Sequence, residues 1–139
     1  MDQEQEKKLL KEAFEAFKSG NDGELRDKVK TLVWVSEADA YTLACMFKLH
    51  LESPGNKFSA EERFCGECVL GQLYLIAKDE ISERDFVLQA LAKAQDHFDQ
   101  AYVLWESLPE RDVDAGEKIK KGYLVAERNI DGVNMLFNH

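Results

Sequence analysis

Residues 86–108 read FVLQALAKAQDHFDQAYVLWESL, with apolar side chains at Val87, Leu91, Ala94, Phe98, Ala101, Tyr102, Trp105 and Leu108. Steps of three and four residues return to the same side of an α-helix, so the spacing predicts one long amphipathic helix with a core-facing stripe. A second stripe follows at Ile119, Tyr123, Ala126, Ile130, Val133 and Phe137. Two long helices are therefore expected in the last third of the chain.

Working outward, the rest of the sequence reads the same way. A first helix is expected from about Gln3 to Lys18, ended by Gly20-Asn21-Asp22-Gly23, residues that tolerate positive φ. A shorter one follows from Glu24 to Val35. Ser36 with Asp39 resembles a capping pair and should start a third helix, which Ser53-Pro54-Gly55-Asn56 stops. Ser59 with Glu62 is a capping box for a fourth helix reaching Lys78, and Ser82 with Asp85 repeats the signal for the fifth. Pro109 ends that helix, and Asp114 with Glu117 should cap the sixth. No segment alternates with period two. The expected fold is all-α: a single domain over residues 1–139, with about six antiparallel helices arranged as a stack or bundle of helical hairpins.

Composition fits this reading. The chain has 139 residues, 45% hydrophobic and 32% charged, which suits a folded domain with a core of its own. No apolar run approaches the roughly 20 residues of a membrane span. The opening Met1–Glu6 lacks the basic and apolar regions of a secretory signal, so a cytoplasmic location is expected. Three cysteines do not make a disulfide framework. Of the formal net charge of −9, most falls in residues 58–139, a balance that repels phosphates and anionic headgroups and argues against nucleic acid and membrane as partners. Basic protein surfaces suit it better.

Two fragments resemble the tetratricopeptide repeat. Leu70-Gly71-Gln72-Leu73-Tyr74 is similar to the L-G-x-x-Y of the first helix of that repeat, and Ala94 to Ala101, with Phe98 between, fits the A-x-x-x-F-x-x-A of its second. Glu67 stands where the repeat usually carries Trp, and the interval between the fragments is longer than in the repeat. The resemblance implies a helical scaffold that binds a protein or peptide and catalyses nothing. It also gives Gly71, Tyr74 and Phe98 a packing role in a close helix contact.

No arrangement of catalytic groups stands out, so the sequence names no reaction and no cofactor. Cys65-Gly66-Glu67-Cys68 has redox spacing, but lies well inside a helix that starts near Ser59, away from the N-terminal amides that would stabilise a thiolate. If the third and fourth helices fold back at Pro54-Gly55-Asn56, Cys45 faces Gly66, and Cys45, Cys65 and Cys68 meet at one level as metal-ligand candidates, with His50 too far along to be the fourth ligand. Core packing is the competing and favoured reading, so no metal is assigned. His97 is expected to be exposed or half-buried. Among the aromatics, Trp34 stands out because Val33-Trp34-Val35 puts more apolar side chains in a row than one helix face can bury.

The reading that follows is a non-enzymatic protein–protein interaction module, an adaptor or repeat-like scaffold, with Trp34 as its leading partner-binding residue. The alternative is a small acidic inhibitor of the immunity type, which blocks a basic surface by imitating nucleic acid, with Glu110, Asp112 and Asp114 as its binding residues. A cysteine-based thiol or metal sensor comes third.

Overall fold

The computed structural model describes residues 1–137 and contains six helices: α1 (Gln3–Ser19), α2 (Asp22–Leu32), α3 (Ala40–Glu52), α4 (Ala60–Ala77), α5 (Arg84–Ser107) and α6 (Val113–Phe137). The side chain of Phe137, expected to close the last stripe, lies outside the described residues. No strand occurs among the described residues, and no described helix is long and apolar enough to cross a membrane. The main core runs from Leu10 of α1 to Ala126 of α6, with a small satellite of Ala40, Ala77 and Ala90 beside it, and the fold is an all-α single domain.

Helix α4 is the axis of that core. Its apolar residues are not confined to one face, and Phe64, Cys65, Cys68, Val69, Leu70, Leu73, Tyr74 and Leu75 are all buried. A helix buried nearly all round needs neighbours on several sides, and α1, α3 and α5 supply them. The capping box expected at its start is present: Glu62 N donates to Ser59 Oγ at 3.1 Å, and Ser59 N donates to Glu62 Oε1 at 2.8 Å.

The contact between α4, α5 and α6 is set by one ring. Phe98 is fully buried, and a Cβ built on either Gly71 of α4 or Gly122 of α6 would come within 2.7 Å of it. Phe17 of α1 stacks on the same ring with centroids 6.2 Å apart. Phe98 therefore fills space that two glycines leave open, and the third neighbour blocks its retreat.

Four helix starts differ from expectation. α2 begins at Asp22 and not at Glu24, because Asn21 caps it, accepting from Glu24 N at 3.1 Å. Asp39, not Ser36, caps α3, accepting from Thr42 N at 2.8 Å, because residues 33–38 form a strap in which Val33, Val35 and Ala38 pack on the core. At α5 the N-cap is Glu83, without a side-chain cap bond, and not Ser82. Asp112 takes the place expected of Asp114: Ala115 N donates to its Oδ1 at 3.0 Å. Trp105 fixes that position, since its indole Nε1 donates to the Asp112 carbonyl at 2.8 Å.

The α3–α4 register also differs. Leu51, not Cys45, lies against Gly66, and Cys45 lies against Tyr74. The slip amounts to about two helical turns. It arises because the first turn of α4 runs past the end of α3 to reach α1, where Phe64 meets Phe14 edge-on at 5.6 Å and Glu62 pairs with Lys7 at 3.7 Å.

Because Phe98 cannot move aside, Gly71→Ala and Gly122→Ala should each lower stability by about 1–3 kcal/mol from overpacking, less the ~1 kcal/mol that alanine gains as a helix former. Gly132, also in α6, has nothing within 4 Å of its built Cβ, so Gly132→Ala should stabilise by about 0.5–1 kcal/mol. Urea unfolding of the three variants checks both signs.

Candidate functional site

The side chains with chemistry gather where α3 and α5 flank α4. Both pack on α4 and touch one another only sparingly, through side chains such as Lys93 and Tyr41. On α4, Glu67, Gly71 and Tyr74 follow at steps of four and three, so they share the stripe that meets α5. With Phe98 seated on Gly71, the preceding residue of α5 is turned toward α3 and α4. His97 is consequently buried, at 5% exposure, where the sequence suggested an exposed or half-buried side chain. Its Nδ1 lies 2.6 Å from Glu67 Oε2, and its ring stacks parallel on Tyr74 at 5.5 Å.

The polar cluster continues from there. Tyr74 OH lies 3.6 Å from Cys45 Sγ, and burial, followed by that contact, pushes the Tyr74 hydroxyl well above its ordinary pKa. Lys93 Nζ donates to Tyr41 OH at 2.8 Å and sits over the rings of both Tyr41 and Tyr74. Beyond this bridge the space between α3 and α5 opens into a groove of about 520 Å³, lined by Leu51, Phe58, Leu70, Val103 and Leu104, with Lys48, Glu52, Arg63, Glu67, Asp99 and Gln100 among them. Glu67 belongs both to the cluster and to the groove.

The three thiols are not brought together. Cys45 is half-buried beside Tyr74, whereas Cys65 and Cys68 are buried in the core. Burial pushes the Cys65 thiol up to about 12 and raises Cys68 well above its ordinary value, so neither carries appreciable thiolate at neutral pH. Among the described residues no group of three His, Cys, Asp or Glu side chains is placed to hold a metal ion. His50, on α3, lies 3.6 Å from Glu6 of α1.

Trp34 occupies a distinctive position. Val35 N donates to Lys30 O at 3.0 Å and Trp34 N to Thr31 O, the paired bonds of a Schellman ending for α2. The residue at this point of the motif takes the left-handed conformation and is usually glycine. Here it is tryptophan, with φ +59°, the sole non-glycine residue with positive φ among the described residues, and its side chain is 77% exposed.

Of the acidic candidates, Glu110 and Asp114 are exposed, but Asp112 is engaged within the molecule. It caps α6 and pairs with Lys18 of α1 at 2.7 Å. Burial opposes its charge, yet the bonds from Lys18 and the Ala115 amide outweigh burial and hold the carboxyl below its ordinary 3.8. Asp112 thus fastens α1 to α6. Nothing in the sequence signalled this, nor the meeting of His97 with Glu67, because both partners are remote along the chain.

No family model, curated protein or solved structure matches the chain.

Two measurements follow. Alkylation of the native protein at neutral pH should be confined to Cys45, with Cys65 and Cys68 labelled only after unfolding, as peptide mass mapping would show. Because the folded Asp112 carboxyl titrates below 3.8, its contribution is complete above that value and is lost as pH falls through the folded pKa. Asp112→Asn should cost under about 1 kcal/mol near neutrality, and the difference from wild type should vanish in acid. Asp112→Ala, which also removes the cap, should cost about 1–2 kcal/mol.

Proposed function

We propose that the protein is a non-enzymatic interaction module that docks a partner protein through Trp34. One observation carries the reading: a large aromatic side chain is held in solvent by a backbone conformation that costs a residue with a Cβ about 1–2 kcal/mol. The fold receives no packing in return, since Trp34 is 77% exposed while its neighbours Val33 and Val35 supply the contacts to the core. Exposed tryptophan is the side chain most enriched among residues that dominate binding energy at interfaces. Its presence where glycine would serve the backbone better is accounted for by a partner with an apolar socket.

The surroundings describe that partner further. Close to Trp34 in sequence, Asp27 and Glu37 are 76% and 89% exposed, and both pair with Lys30. With the overall charge of −9, this favours a socket rimmed by basic groups. The acidic-mimic alternative is weakened by Asp112, whose charge serves the fold, and by Glu80, which accepts from Arg26 and from the Ala40 amide. Helical-hairpin architecture of the tetratricopeptide kind remains part of the proposal, supported by the close contact of Gly71 with Phe98.

Trp34→Gly should raise stability by about 1 kcal/mol, by relieving the strained backbone, while lowering partner affinity by about 2 kcal/mol or more. Partner capture from the native cell, followed by titration of the captured protein against both forms, tests the pair of effects. Stability gained with affinity unchanged would remove Trp34 from the interface.

A further inference from the structure

The groove between α3 and α5 carries recognition chemistry of its own, separate from the Trp34 corner. Leu51, Phe58, Leu70, Val103 and Leu104 give it apolar walls, and Val103 is 67% exposed, so burying these walls favours an apolar occupant. The floor is different. Glu67 Oε2 is held by His97, whereas Oε1 has no hydrogen-bond partner among the described residues and is not sealed from solvent.

That half-satisfied carboxylate restricts what can lie there. A purely apolar occupant would strip water from Oε1 and offer nothing in exchange, which is unfavourable for a charged acceptor. An occupant with a cationic donor at that level satisfies it with a charge-assisted bond in a sheltered setting, where such bonds are strong. The rim selects less, because Lys48, Arg63, Glu52 and Asp99 present both signs.

The shape points the same way. Helix α4 already seats α1, α3 and α5, and between α3 and α5 it keeps one further face with helical walls on either side. A helix laid along such a channel is a common mode of peptide recognition. We propose that the groove binds an amphipathic helix of a partner protein that carries a Lys or Arg among its apolar anchors, the cation lying against Glu67.

Three labelled model helices with identical leucine positions test this, their remaining positions filled with Lys, Gln or Glu. The Leu/Lys peptide should bind saturably, shifting backbone amide signals at Leu51, Glu67, Leu70 and Val103. The Leu/Gln peptide should bind about tenfold more weakly and the Leu/Glu peptide more weakly still. Glu67→Gln should bring the Leu/Lys peptide down to the Leu/Gln level. Val103→Lys, an exposed wall position that leaves the core untouched, should weaken it similarly and keeps the test open if Glu67→Gln does not fold. Glu106→Gln, an exposed carboxylate outside the groove, should change nothing. Equal binding of the three peptides, amide shifts elsewhere, or a loss with Glu106→Gln as large as with Glu67→Gln would overturn the proposal. So would n-hexylammonium binding at the same residues as tightly as the peptide, which would assign the groove to small amines.

Discussion

The seating of Phe98 between two glycines governs more of this molecule than any other contact. Gly71 and Gly122 allow α4 and α6 to close on one ring, and Phe17 covers it from α1, so four helices take their spacing from a single side chain. The rotation of α5 is fixed with it. Successive residues on a helix point about 100° apart, so locking Phe98 inward turns His97 onto Tyr74 and Glu67, which occupy the same α4 stripe as Gly71. Polar cluster and core contact are two consequences of one packing decision.

Much of the fold is legible in the sequence because helical periodicity is a local signal. The stripes of α5 and α6, the capping box at Ser59 and the break at Gly20 all depend on residues within a turn or two of each other. The misplaced starts of α3 and α6 fail for the complementary reason. Val35 and Ala38 pack on the core as an irregular strap, and Trp105 captures the Asp112 carbonyl from the preceding helix. These tertiary contacts choose among several residues that are each competent to cap.

The sites divide along the same line. The exposure of Trp34 is legible because Val33-Trp34-Val35 overfills one helix face, an argument needing only three adjacent residues. The groove could not, since its width depends on how far α3 and α5 stand apart over α4. His97 and Glu67 are 30 residues apart, and a helix turns the residues adjacent to His97 in sequence away from it. The slip of Cys45 from Gly66 to Tyr74 has the same origin, because the reach of α4 toward α1 lies outside the hairpin from which the register was inferred.

The attachment of the first two helices bears on how the chain comes apart. α1 and α2 form a continuous unit at one end of the sequence, joined to the remainder through Phe14 on Phe64, Phe17 on Phe98, and the ion pairs of Lys18 with Asp112 and Arg26 with Glu80. Such a unit can lift away without any helix unwinding, which makes it a natural candidate for partial opening below the global unfolding free energy. What it would bare is Phe64 and one side of Phe98, both fully buried in the closed domain. Self-association by partly opened molecules, more than by unfolded ones, is thus the hazard built into this arrangement.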